Sequence, residues 1–174
     1  MPPPIVLRRL NADDLPELKA LGRSTYYEAF AQDNTAEDMR LYLDESFSDA
    51  KLTRELANPN SIFYFAQVDG VTAGYCKLNF GPAQTEPIED AIELERIYVV
   101  AGFQGRGVGA AMMQRTIALA RAKKVSYLWL GVWEKNPRAI TFYRDFGFER
   151  FGQHIYHLGT DPQLDLMLRL KIKQ

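Results

Sequence analysis

The chain has 174 residues, 47% hydrophobic and 25% charged, with a net charge of −1. That suits one domain with a sizeable core and offers no overall charge to attract nucleic acid. No apolar run approaches the ~20 residues of a membrane span, the single Cys76 excludes an internal disulfide, and His154 and His157 leave a zinc site little to work with.

The proline-rich start, Met1 to Ile5, lacks the layout of a secretion signal, which with one cysteine points to a reducing cytoplasm. Ile5 to Arg9 reads as a first strand. Asn11 is placed to cap a helix beginning around Ala12, with Asp13 and Asp14 in its first turn and an apolar side through Leu18, Tyr26 and Phe30. Thr35 with Asp38 opens a second helix, and a third is expected from Ser48 to Ala57, ended by Asn58-Pro59-Asn60. Ile62 to Val68 and Thr72 to Phe80, joined by Asp69-Gly70, form a hairpin signal. After a polar loop comes a central strand, Ala91 to Val99. Cys76 lies in a strand, as a small buried hydrophobe.

That strand ends in Val100-Ala101-Gly102-Phe103 and a glycine-rich loop, Gln104-Gly105-Arg106-Gly107-Val108-Gly109, which opens into a helix from Val108 to about Lys124. Glycines there let backbone N–H groups converge at the helix N-terminus, where the dipole favours an anion, and Arg106 adds a donor suited to phosphate oxygens. The Lys-Ser/Thr ending of a nucleotide P-loop is missing, and the glycine spacing differs from a dinucleotide fingerprint. The loop reads as a pyrophosphate cradle. Tyr127 to Trp133 is another strand. Asn136-Pro137 starts a helix that stops at Gly147, and Phe148 to His157 and Gln163 to Leu170 close the chain as strands. One domain, 1–174, is expected, of hairpin-rich α+β class.

Charge is unevenly spread. Glu28 to Asp49 holds seven acids against Arg40 alone, and Pro82 to Glu95 adds five acids and no base. Arg96 to Arg150 reverses this, with ten Lys or Arg against three acids. The basic part coincides with the cradle. The acidic parts suit a cationic partner such as an amine, or are simply solvated faces.

Gln-x-x-Gly-x-Gly straight after Ile97-Tyr98-Val99 resembles the signature of the GNAT superfamily of acyl-CoA-dependent N-acyltransferases. Asn136-x-x-Ala139-x-x-Phe142-Tyr143-x-x-x-Gly147-Phe148 is similar to a second segment of that family. The resemblance implies a mixed, mainly antiparallel sheet of about seven strands, flanked by helices and splayed between the fourth and fifth strands. It implies acetyl-CoA as co-substrate, with no metal, bound by Ile97, Tyr98, Val99, Gln104, Gly105, Arg106, Gly107, Val108, Gly109, Ala110, Asn136 and Tyr143. Only about one alkyl ammonium in a thousand is neutral at pH 7, so a base is useful. Glu93 and Glu95 share a strand face under simple alternation, and family members place the basic glutamate at one position or the other. Glu95, nearer the loop, is preferred. A backbone N–H near Tyr98 or Val99 suits the thioester oxyanion. The resemblance makes Tyr143 the general acid for the leaving thiolate. Thr35 to Leu43, Glu93 to Val99, Trp129 to Asn136 and Asp165-Leu166-Met167 are similar to the PaiA-type spermine/spermidine acetyltransferases, which implies a polyamine acceptor. A protein N-terminus, a lysine or another small amine as acceptor, and a silent acyl-CoA sensor, stay open, as do monomer and homodimer.

Overall fold

The computed structural model describes residues 1–174. Strand β1 (Ile5–Arg9) is followed by a 3-10 turn, Ala12–Asp14, and helix α1 (Leu15–Phe30). The expected start at Ala12 is a separate capped turn. Asn11 Oδ1 accepts from the Asp13 N–H, the Asp14 carboxylate takes the Asn11 N–H, and Pro16 then opens the α-helix proper. Thr35 and Ser48 cap α2 (Ala36–Ser46) and α3 (Asp49–Ala57) by accepting from the Asp38 and Lys51 N–H groups. Strands β2 (Ser61–Val68) and β3 (Val71–Phe80) meet at Asp69-Gly70, both with positive φ, as a tight hairpin turn of primed type demands.

Strand β4 (Ala91–Val99) leads through the glycine loop to α4 (Val108–Ala122). That helix stops at Ala122, short of the expected Lys124, because Lys124 turns to φ 58. β5 (Tyr127–Trp133), α5 (Pro137–Asp145), β6 (Glu149–Leu158) and β7 (Asp161–Lys171) complete the chain. The sheet order is β1-β2-β3-β4-β5-β7-β6, and only β4 and β5 run parallel. The seven-stranded α+β sheet anticipated from the sequence is present.

Two apolar layers cover the sheet. α4 and α5 bury Met112, Met113 and Ile140 on Leu78, Ile92 and Leu130. On the other face α1–α3 bury Leu18, Phe47 and Leu52 on Phe63, Phe65 and Tyr75. No helix is long and apolar enough to cross a membrane.

Two irregularities position the site. β4 and β5 pair only at Ala91–Tyr127, Ile92–Leu128 and Glu93–Trp129, and then separate. Their remaining lengths, Leu94–Val99 and Leu130–Trp133, border an open wedge. On the other side of β4 the register with β3 skips from Lys77–Arg96 to Leu78–Leu94, so Glu95 is an extra, bulged residue. Glu93, Glu95 and, past the bulge, Arg96 and Tyr98 therefore all face the α1–α3 layer.

Candidate active site

The wedge is the mouth of a cleft of about 830 Å3 that runs from the glycine loop, between β4 and β5, to the wall made by α1 and α2. At the loop end Gly105 and Gly107 have φ of 74 and 84, which only glycine adopts readily. Gly107 caps α4 in this left-handed conformation with no side-chain cap. None of the N–H groups from Gly105 to Ala110 has a partner within the protein; the first bond of the helix is from the Ala111 N–H to the Gly107 carbonyl. These free donors, at the positive end of the α4 dipole, form an anion cradle.

Val100 donates its N–H to the Ala73 carbonyl on β3, and the Tyr98 carbonyl also points at β3, where a Cβ on Gly74 would sit 2.5 Å from it. Alternation along β4 then turns the backbone of Ile97 and Val99 the other way, into the wedge. Gln104 Nε2 binds the Val99 carbonyl there at 3.3 Å. Of the Tyr98 and Val99 N–H groups, the one turned into the wedge is that of Val99.

Of the residues expected at the cofactor, Ile97, Tyr98, Val99, Gln104, Gly105, Val108, Gly109, Ala110, Asn136 and Tyr143 line the cleft together with Gly107. Arg106 does not. Its guanidinium lies 5.0 Å over the Phe103 ring and reaches the Gly102 carbonyl at 3.5 Å. The cation that lines this end is Arg138, 3.4 Å from Gln104 Oε1, a helix residue that no motif singled out. Asn136 caps α5 by accepting from the Ala139 N–H. Tyr143 is buried, and its hydroxyl meets no protein partner although it borders the cleft. Burial alone pushes it well above the ordinary phenol value, so it stays protonated.

The two glutamates part company. Glu93 is turned away from the cleft, and its oxygens take the Thr85 N–H and hydroxyl and the Asn79 amide. Burial pushes its pKa up. Glu95 lines the cleft, but its carboxylate is paired with the buried Lys77 Nζ, bonded by Asn79 Nδ2 at 2.9 Å and 4.0 Å from Arg96. Burial would raise its pKa; the Arg96 and Lys77 charges more than reverse this and hold it down at about 2. Glu55 binds both cations from α3, at 3.4 and 3.3 Å. The cluster balances its own charge, and Glu95 is a locked anion, which makes it a weak base.

The opposite end has an aromatic wall. Tyr26 and Tyr42 stack at 4.2 Å, Tyr26 and Tyr156 share a hydroxyl–hydroxyl bond of 2.8 Å, and Phe30 meets Trp133 edge-on. Glu28 and Asp165 stand among these rings at the cleft surface. Four other acids of the 28–49 segment serve the scaffold: Glu37 and Asp44 pair with Arg40, Asp49 with Lys19, and Asp38 accepts from Thr160. No group of three or more His, Cys, Asp or Glu side chains is arranged to hold a metal.

Residues 23–148 match the family described as "Acetyltransferase (GNAT) family". An uncharacterised N-acetyltransferase of Lactobacillus delbrueckii subsp. lactis is 41% identical over 162 residues, covering 92% of this chain and 94% of its own. The N-alpha-acetyltransferase RimI of Mycobacterium tuberculosis is 32% identical over 109 residues, 63% of this chain and 65% of its own. Among solved structures, the PaiA N-acetyltransferase of Thermoplasma acidophilum, in complex with coenzyme A, superposes with a TM-score of 0.79 at 22% identity, over 97% of this chain and 99% of that one.

Proposed function

The chain belongs to the GNAT family of acetyltransferases and uses acetyl-CoA, and from that premise we propose that its acceptor is a primary alkylamine cation, polyamines included. The observation that carries this is the cleft itself, with free N–H groups at one end and a box of aromatic rings and acids at the other. Aromatic faces attract alkyl ammonium ions, and Glu28 and Asp165 add charge of the right sign.

The residues divide the work by position. The N–H groups of Gly105 to Ala110, with Arg138 beside them, suit the pyrophosphate. The backbone edge at Ile97 and Val99, which no strand pairs, suits the amide groups of the pantetheine arm, which would pair as an added strand. Bound acetyl-CoA supplies an activated acetyl thioester. The Val99 N–H is placed for the charge that develops on the thioester oxygen, and Asn136 fixes the start of α5, on which Tyr143 sits. The Tyr143 hydroxyl, uncommitted and protonated, donates to the leaving sulfur. Locked as it is, Glu95 holds Lys77 and Arg96 in place beneath the amine pocket.

The match to an N-alpha-acetyltransferase favours a second reading, a protein N-terminus as acceptor. CoA release from acetyl-CoA decides between them, measured with spermidine, spermine, simple diamines, a lysine peptide and a free-N-terminus peptide. Selective turnover of the small amines is expected. Tyr143→Phe should lower kcat by roughly 100-fold or more with little change in KM. Turnover of peptides alone would overturn the alkylamine assignment.

A further inference from the structure

An alkylamine enters the cleft as its ammonium, and apart from Asp165 and the exposed Glu28 on α1 the groups that border the cleft are poorly suited to take its proton. Glu95 is locked by Lys77 and Arg96, and Glu93 faces away with its oxygens occupied. The tyrosines Tyr26, Tyr98, Tyr143 and Tyr156 are all pushed up by burial.

Asp165 on β7 is different. It lines the cleft among the acceptor-end tyrosines, with a side chain 13% exposed, and His154 on β6 stands behind it, paired in register. His154 Nε2 is 3.6 Å from Asp165 Oδ2, and its Nδ1 is 3.0 Å from Glu86 Oε1 in the loop between β3 and β4. These two carboxylates are the charged groups facing the ring, one from each element packed against it.

Gly131 makes the pair reachable. It lies two residues past Trp129 on β5, as Glu95 lies two past Glu93 on β4, so the two stand opposite each other where the strands separate. A Cβ at Gly131 would sit 3.2 Å from both Asp165 Oδ2 and His154 Nε2. The missing side chain leaves room beside Asp165, which lines the cleft, with His154 next behind it.

We propose that Asp165 and His154 are the proton-acceptor chain of the acetyl transfer, Asp165 touching the ammonium and His154 acting through it; this rests on the alkylamine reading above. An N–H bond of the ammonium breaks, its electron pair stays on nitrogen as the nucleophile, and the proton passes by way of the Asp165 carboxylate to His154 Nε2. His154 Nδ1–H remains on Glu86, and the imidazolium later returns its proton to solvent. The second nitrogen proton leaves once the C–N bond has formed and balances the one taken by sulfur as the C–S bond breaks. Asp165 and Glu86 both raise the pKa of the imidazole, against a smaller opposing effect of burial. This narrows its gap to an alkylamine near ~10.4 and strengthens it as a base.

The test couples two readouts. In His157→Gln protein His154 is the one imidazole, and its NMR titration gives a pKa without turnover. That pKa should lie above ~6.5 and fall in both Glu86→Gln and Asp165→Asn. The acid limb of kcat/KM, followed with the best amine of the panel, should coincide with this titration and move to lower pH by the same amount in Glu86→Gln. His154→Gln should lose that limb and roughly 100-fold in kcat while still binding acetyl-CoA. An acid limb that stays in place while the imidazole titration moves overturns the chain, as does an unchanged kcat in His154→Gln. Absence of amine turnover in the wild-type panel is a separate result, which removes the alkylamine reading and the chain together.

Discussion

Tyr75 carries a cost that the fold tolerates. Its hydroxyl is fully buried without a hydrogen-bond partner, while its ring stacks on Tyr98 at 5.8 Å. An unpaired buried hydroxyl costs about 1–3 kcal/mol, whereas the ring contributes its full apolar area. Tyr75→Phe is therefore expected to stabilise the protein by about 1 kcal/mol, a rise of ~2–4 °C in Tm for a chain of this size. A drop in Tm would mean that the hydroxyl has a partner after all. Legibility at this scale follows sequence separation. Asn11, Thr35 and Asn136 were readable as helix openers because each acts within three residues of itself, whereas Ser48, expected as the first residue of its helix, is the cap before it. Glu86 and His154 are 68 residues apart, and Gly131 shows its importance only once β5, β6 and β7 lie side by side. Periodicity holds no trace of that.

Between elements, the feature that sequence reading missed is the ion cluster that ties α3 to β3 and β4. Alternation placed Glu93 and Glu95 on one face, which is correct, but it could not supply Lys77 from β3, Glu55 from α3 or the bulge that brings Arg96 onto the same side. Those partners turn an apparent base into a fixed anion. Lys77→Met leaves Glu55 and Glu95 facing each other with Arg96 alone between them, and breaking a buried pair in this way costs about 3–5 kcal/mol. The pH response has a definite sign. The Glu95 carboxyl is held at about 2 in the folded chain, below its unfolded value of ~4.3. Its stabilising contribution is thus complete above the unfolded value and is lost as pH falls toward the folded one. Thermal unfolding followed from pH 7 to pH 2 should show this loss in the wild type and a smaller one in Lys77→Met. An equal loss in both would assign the acid response to other carboxylates. The acidic run from Glu28 to Asp49 gives the complementary lesson. Its excess was plain in the sequence, yet Glu37, Asp38, Asp44 and Asp49 pair with groups of the scaffold, and Glu28 is the one at the cleft.

Across the whole molecule, the order of strands and helices was legible because every turn, cap and glycine stop is local. The wedge itself came from the family resemblance, since nothing in the composition of β4 or β5 says that pairing should cease after Glu93 and Trp129. The result is a sheet in two parts, β1 to β4 and β5 to β7, which α1 and α2 bridge through Tyr26–Tyr156, Phe30–Trp133 and Asp38–Thr160. A strand in the middle of a sheet ordinarily shields its amide protons on both sides. β4 shields them on one side only, so deuterium uptake along it should alternate. Tyr98 and Val100, turned to β3, should exchange slowly in every state, whereas Ile97 and Val99 should exchange as fast as residues at a rim. Acetyl-CoA should slow those two and leave their neighbours unchanged. The protein thus keeps a vacant hydrogen-bonding position at its centre, and its filling can be timed by mass spectrometry before a single acetyl group has moved.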